Sequence, residues 1–264
     1  MNIEDLEKYL KEKVSIPFVN FKGLDLQIAQ DIVEALNLIY ERYPALKNSI
    51  FAIGFNEDIN NLYSLLSHYN NPLNQEDIHL VQNKGQAMNA VAILSKKHHI
   101  EKFKRFETML FIGIAINDTM LGKKSEDLNL QLEESAKNGY HPKHYTTVKS
   151  HIYHEIGHIL DYILNLSLDK KLTSLIFKHS EGGKSISSKI SKYVLKSESG
   201  MRDLITEAFS EYITCPDAND LIHIIGTYID KKYYSFENSD IFITNQKFSQ
   251  YYIDEKASEN KRIY

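Results

Sequence analysis

The sequence has few cysteines and no long apolar run, and each absence excludes a class of protein. The single cysteine, Cys215, excludes an internal disulfide, and its place before Pro216 indicates a packed small residue rather than a nucleophile. No uncharged apolar run reaches the ~18 residues that a membrane-spanning helix needs. Residues 1–5 lack the basic and apolar regions of a signal peptide. We therefore expect a cytoplasmic protein, or one that is virion-associated or exported without a standard signal peptide.

The composition is that of a globular protein. Hydrophobic residues make up 42% and charged residues 25% of the 264 positions, which is enough to build a substantial core. The net charge of −4 gives no electrostatic reason to expect a nucleic acid or a membrane as a partner.

Apolar periodicity predicts both helices and strands. Helical spacing runs through residues 24–40 and 59–68, and strand composition marks residues 49–55, 87–94 and 108–117. Residues 117–145 are polar and poorly patterned, so we expect them to cover the surface. These patterns predict an α+β fold with a small mixed sheet.

The clearest chemical signal is the H-E-x-x-H motif formed by His154, Glu155 and His158. It lies in the largely apolar run 148–166, for which Thr146 or Thr147 is a suitable helix N-cap. On a helix the two histidines share one face, so both imidazoles can bind one zinc ion. Glu155 is then placed to accept the proton of a water that the metal acidifies.

A second motif supplies a third ligand. Asp203, Glu207 and Glu211 recur at helical spacing in residues 201–213 and therefore share one helix face. We predict that Glu207 binds the metal and that Glu211 accepts the outer N–H of a ligating histidine. The alternative is a solvated acidic face on an ordinary amphipathic helix.

Three segments resemble one known family. Residues 154–161 (HEIGHILD), 190–194 (ISKYV) and 207–212 (EAFSEY) are similar to the zinc metallopeptidase domain of anthrax-lethal-factor-like toxins and of zincin-like phage head-associated proteins. The resemblance covers about residues 140–215 and is weaker in the N-terminal half.

The resemblance implies a fold, a cofactor and a division of the chain. It implies a gluzincin-type, zincin-like two-lobed catalytic domain over residues 1–264 that binds Zn²⁺. The upper lobe, 1–166, would hold a backing helix, a small sheet and the H-E-x-x-H helix. The lower lobe, 167–264, would be mainly helical and carry the third ligand. Strand 111–117 would then form the edge along which a peptide substrate pairs, and the alternative is an interior strand that binds no ligand.

The resemblance also assigns roles to single residues. A tyrosine before the ligand glutamate stabilises the oxyanion in this family, and Tyr193 matches by its Ser-x-Tyr context, although it lies farther before the glutamate than the family pattern suggests. Tyr228 and His223 are therefore kept as further candidates for this role. Asp161 would orient His158, or else be a surface charge.

One further histidine lies on nearly the same helix face as the motif. His151 precedes His154 by less than one turn, and a third ligand from the same helix would be strained. We expect it to line the cleft rim or to form a local hydrogen bond.

Together these features predict a zinc metalloendopeptidase that hydrolyses peptide bonds with Glu155 as general base. It would act on a protein or peptide substrate. The resemblance also implies a phage particle or a host protein as a partner. The alternative is a phage or mobile-element protein with a zincin fold, a structural or interaction role and little or no peptidase activity. The sequence is also compatible with a repressor-cleaving metallopeptidase of mobile elements, and with a structural zinc site that has four protein ligands.

Overall fold

A computed structural model describes residues 1–69, 88–100, 105–197 and 200–237. The fold is mixed and mostly helical, which confirms the α+β class. The chain divides into two compact units. The first comprises Met1–Leu26, the described residues of Tyr40–Leu121 and Glu237. The second comprises Gln27–Ile39 and the described residues of Gly122–Phe236. Residues 238–264, which belong to the expected lower lobe, lie outside the described residues.

The first unit contains a four-stranded mixed sheet in the order β1-β2-β4-β3. Strand β1 pairs with β2 and β2 with β4 in parallel, whereas β3 and β4 are antiparallel. All four residues of β2 are buried, as expected for an apolar strand inside a sheet. The elements of this unit are α1 (Ile3–Glu12), β1 (Phe18–Val19), β2 (Ala52–Phe55), α3 (Asn56–Tyr69), β3 (Met88–Ile100) and β4 (Arg105–Ile116). The two ends of helix α2 (Leu26–Arg42) belong to this unit, and its middle belongs to the second.

The predicted edge strand is an interior strand. Residues 111–116 belong to β4, which lies between β2 and β3 in the sheet. Residues 113–116 are therefore paired on both sides, so the expectation that the strand offers a free edge to a peptide is wrong for these residues. A run of β-branched residues indicates a strand but not its place in the sheet, because that place is set by pairing partners distant in sequence.

The second unit is helical and carries both chemical motifs. Besides Gln27–Ile39 of α2, its helices are α4 (Ser125–Lys137), α5 (Val148–Leu164), α6 (Lys170–His179), α7 (Ile186–Lys189), α8 (Tyr193–Lys196), α9 (Met201–Thr214) and α10 (Asp220–Phe236). The two motif helices, α5 and α9, were expected on opposite sides of the lobe boundary between residues 166 and 167. Both belong to this unit.

Helix α4 lies in the stretch that is poorly patterned in sequence. Only Leu128 and Leu132 are buried apolar residues of this helix, so the apolar stripe is narrow. Glu126 and Asp127 lie in its first turn, where acidic side chains interact favourably with the helix dipole. A stripe of two leucines is sufficient for a helix that packs on a neighbour, although it is too weak to stand out in the sequence.

Helix α5 is almost entirely buried and begins at the predicted cap. The Thr147 side chain accepts a hydrogen bond from the Ser150 N–H, and the Ser150 side chain accepts one from the Thr147 N–H. This reciprocal capping box satisfies two backbone donors at the start of the metal-motif helix. The helix ends at Asn165, which adopts the left-handed conformation.

None of the helices among the described residues has both the length and the apolar character that crossing a membrane requires.

Candidate metal centre

Helices α5 and α9 approach each other closely at a glycine. A Cβ atom added to Gly157 would lie 3.0 Å from the Thr206 Cα atom and 3.1 Å from its Cβ atom. The second variable position of the H-E-x-x-H motif is therefore occupied by the one residue that permits this contact. The close approach brings the histidines of α5 against the acidic face of α9.

Two histidines and one acid converge at this crossing. The Nε2 atoms of His154 and His158 lie 3.1 Å apart, and Asp203 Oδ1 lies 3.4 Å from His158 Nε2. One donor atom from each of these three residues lies within 4.8 Å of the others. This arrangement can hold a metal ion. The other carboxylate oxygen of Asp203 accepts a hydrogen bond from the Ser197 hydroxyl, which orients the acid.

Glu207 lies one turn further along α9 and contacts the other nitrogen of His154. Its Oε1 atom is 3.3 Å from His154 Nδ1 and 2.9 Å from His141 Nδ1. The side chain is fully buried. Burial alone would raise the pKa of Glu207, but its two histidine partners lower it below the ordinary value. Glu207, which the sequence predicted as a metal ligand, thus lies where a carboxylate can orient a ligating histidine, here His154.

The two motif histidines differ in their electrostatic surroundings. Burial would lower the pKa of His154, but the Glu207 carboxylate and the neighbouring acids raise it above its ordinary value. Burial lowers the pKa of His158 well below its ordinary value, and the nearby His154 and Arg202 lower it further. The His158 ring is therefore neutral at physiological pH, which is the state that binds a metal.

Glu155 is buried and connected to a tyrosine through a histidine. Its Oε1 atom lies 3.7 Å from His151 Nε2, and the opposite nitrogen of His151 contacts the Tyr145 hydroxyl. Burial raises the pKa of Tyr145 well above its ordinary value, and the nearby Glu207 and Glu155 raise it further. His151 thus forms the local contact expected from the sequence.

Aromatic rings surround His154. The rings of Tyr145 and Tyr193 lie edge-on to it, with centroids 5.8 and 6.4 Å away. His141 stacks on Tyr145 at 4.4 Å and lies 5.2 Å from Tyr193. Tyr193 is therefore placed beside the motif.

Tyr228 and His223, the further candidates for the tyrosine's role, are held elsewhere in the second unit. The Tyr228 hydroxyl donates to Asp169 at 2.9 Å, and the His223 ring lies edge-on to Tyr212. These contacts favour Tyr193 as the tyrosine of the site.

The two acids predicted to orient the motif histidines have different partners. Glu211 Oε1 lies 2.7 Å from His144 Nδ1, and its Oε2 accepts the His144 backbone N–H at 3.0 Å. Asp161 is buried and accepts hydrogen bonds from Ser167 and from Arg202 Nε. The acids that contact His154 and His158 are instead Glu207 and Asp203, because the helix crossing lies one to two turns before Glu211.

Sequence reasoning missed two histidines, His141 and His144. Both lie in the loop between α4 and α5, and they contact Glu207 and Glu211 respectively. The loop therefore follows α9 for one helical turn. A signal was present in the sequence, since the segment His141-Pro142-Lys143-His144 places two imidazoles three residues apart shortly before the motif.

The donor set fits a catalytic zinc ion. Two imidazole nitrogens and one carboxylate oxygen are ligands that zinc accepts in three-ligand catalytic sites. Within the described part of the chain, the buried atoms without a hydrogen-bond partner include His154 Nδ1, His158 Nδ1 and Glu207 Oε2. None of these is one of the three converging donor atoms, so the fit to zinc rests on the chemistry of the donor set.

Comparison of the chain with models of known protein families, with curated proteins and with solved structures finds no match. The geometry of the site is therefore the basis for any functional assignment.

Proposed function

We propose that this protein is a zinc-dependent metallopeptidase. The observation that carries the proposal is the convergence of the His154 and His158 Nε2 atoms with Asp203 Oδ1, next to a buried Glu155. Three protein ligands leave a coordination position open, which is the mark of a catalytic rather than a structural zinc site.

The ligand assignment gives two acids of α9 different roles. Asp203 is the third ligand, since its oxygen faces the same His158 nitrogen that faces His154. Glu207 is the outer carboxylate that orients His154 through Nδ1. The sequence predicted Glu207 as the ligand and Glu211, four residues later, as the orienting acid. In the proposed assignment the same spacing begins one turn earlier, with Asp203 as the ligand and Glu207 as the orienting acid.

Zinc would supply Lewis acidity, polarising a scissile carbonyl and lowering the pKa of water. Glu155 accepts a proton from the attacking water as the new C–O bond forms. It then delivers that proton to the leaving amine as the C–N bond breaks. The His151 ring lies beside the Glu155 carboxylate, with its Nε2 atom 3.7 Å from Oε1. Tyr193, beside His154, donates its hydroxyl hydrogen to the developing oxyanion.

The test combines zinc content with peptide cleavage. Elemental analysis of purified wild type is expected to find zinc, and a peptide library read by mass spectrometry is expected to reveal cleavage products. The Glu155→Gln variant is the matched control, because it keeps the metal ligands and removes the base. It is expected to retain zinc and to lose turnover by about 10²-fold or more.

Two outcomes would overturn the proposal. Undiminished cleavage by Glu155→Gln would exclude Glu155 as the base. Zinc binding without cleavage of any library peptide, in wild type as in the variant, would instead support a structural or interaction role for this fold.

A further inference from the structure

A second cluster of metal-binding side chains lies near the end of α9, apart from the proposed zinc ligands. Donor atoms of His144, Glu211 and Cys215 lie within 4.8 Å of one another. Three donors bound to one zinc ion lie roughly 3 to 4 Å apart, so small movements would bring these atoms into coordination. His144 lies in the loop before α5, Glu211 lies in the last turn of α9, and Cys215 is the residue that caps the end of that helix.

The cluster is held by backbone contacts. The Cys215 N–H donates to the Glu211 carbonyl at 2.9 Å, which places the thiol one turn beyond the carboxylate. The His144 N–H donates to Glu211 Oε2 at 3.0 Å, while the ring of the same residue lies against Oε1. Both carboxylate oxygens are thus oriented by one residue of the loop.

The cluster opens onto a cavity of about 330 Å³ that all three residues line. The His144 side chain is 41% exposed, and Cys215 is half-buried. An ion from solvent can therefore reach the cluster without rearrangement of the helices.

We propose that His144, Glu211 and Cys215 form a second site for a zinc-class divalent ion. Thiolate and imidazole donors select borderline ions such as zinc, whereas magnesium and calcium prefer sites made only of oxygen. This proposal does not depend on the peptidase assignment, since none of the three residues is a ligand in the first site.

The position of this second site suggests what a bound ion does. The loop that carries His144 also carries His141, which contacts Glu207 at the first site. An ion bound by His144, Glu211 and Cys215 ties this loop to the end of α9. It therefore stabilises the loop that places His141 beside Glu207.

Cys215 is the only cysteine of the chain, so thiol chemistry reports on this site alone. The experiment measures the reaction rate of full-length protein with a thiol reagent as zinc is added. Zinc is expected to suppress the reaction in wild type. His144→Ala removes a proposed ligand and is expected to raise the zinc concentration needed for this effect by more than the about 10- to 100-fold typical of losing an outer-shell partner. His158→Ala, which removes a ligand of the first site, is the matched control and is expected to leave the protection unchanged.

Cobalt provides a second readout. Cobalt added to wild type is expected to give a sulfur-to-metal charge-transfer band that Cys215→Ser abolishes.

Two results of the thiol-reagent experiment would overturn the proposal. One is that zinc does not protect Cys215 in wild type, and the other is that the protection persists unchanged in His144→Ala. Circular dichroism establishes that each variant is folded. Glu211→Gln provides the same measurement if His144→Ala does not fold.

Discussion

Asp203 Oδ1 lies 3.4 Å from His158 Nε2, whereas Glu207, one turn later on the same helix, contacts His154 through Nδ1. The two acids therefore face opposite sides of the histidine pair. One is positioned to share a metal with the histidines, and the other is positioned to orient a histidine from behind.

The first prediction separates these two roles. Asp203→Ala removes a proposed ligand and is expected to weaken zinc binding by more than the about 10- to 100-fold typical of an outer-shell change. Glu207→Gln keeps a hydrogen-bonding side chain and is expected to fall within that range. Competition with a chromophoric chelator measures both dissociation constants. The reverse order of the two effects would assign Glu207 as the ligand.

The second prediction concerns the tyrosine beside the motif. Tyr193→Phe is expected to lower kcat by about 10²- to 10³-fold, because a donor to the oxyanion is lost, while zinc content is unchanged. Tyr140→Phe is the matched control. Its ring lies 5.6 Å from Tyr193 and is partly exposed, so this change should leave kcat nearly unaltered. An equal loss in both variants would indicate a packing effect rather than oxyanion stabilisation.

The third prediction concerns the helix crossing. Gly157→Ala would place a Cβ atom 3.0 Å from the backbone of Thr206, so α5 and α9 must move apart. The expected cost is about 1 to 3 kcal/mol of unfolding free energy, despite the higher helix propensity of alanine. The separation should also weaken zinc binding, because the ligands lie on different helices. Denaturant unfolding and chelator competition measure the two effects.

Ser174 provides a control for this change. It is an exposed residue in α6, so Ser174→Ala introduces an alanine into a helix without a clash. Its unfolding free energy should equal or slightly exceed that of the wild type. If Gly157→Ala is as stable as Ser174→Ala, the close approach of α5 and α9 is not a constraint on this position.

The fourth prediction concerns pH and lies outside the metal site. Asp169 caps α6, and its contacts with Lys232 and Tyr228 hold its pKa at about 2, below the ordinary value of 3.8, although burial opposes the shift. A lowered folded-state pKa contributes stability that is full above about pH 4 and is lost as the pH falls toward 2. Lys232→Met should therefore cost about 0.5 to 1 kcal/mol at neutral pH, and the difference from wild type should shrink below pH 4.

The neighbouring lysine provides the comparison. Lys231 is exposed, so Lys231→Met should leave both stability and its acid dependence close to those of the wild type. Urea unfolding of the three proteins between pH 2 and 7 tests this directly. A difference between wild type and Lys232→Met that stays constant across this range would show that the ion pair does not lower the Asp169 pKa.

The local elements were largely predictable from sequence. Apolar patterns and composition located α5, α9 and β4, and Thr147 was one of the two candidate caps for the helix that it begins. Each of these features depends on residues within a few positions of one another. Helix α4 was missed, because two leucines make too small an apolar stripe to detect against a polar background.

The site was predictable as a set of residue types but not as a set of partners. His154, Glu155 and His158 follow from one motif, because two histidines four residues apart must share a helix face. Asp203, Glu207 and Glu211 share a face of α9 for the same reason, and nothing local distinguishes them.

Helical periodicity is a local property, so residue spacing alone places two histidines and a row of acids on two helices. The packing of the folded chain sets which acid meets which histidine, because that depends on where α5 and α9 cross, at Gly157 and Thr206. It also decided that β4 is an interior strand and that His141 and His144 reach α9. These relationships join residues far apart in the chain, and their geometry is set by the packing of whole elements rather than by local sequence.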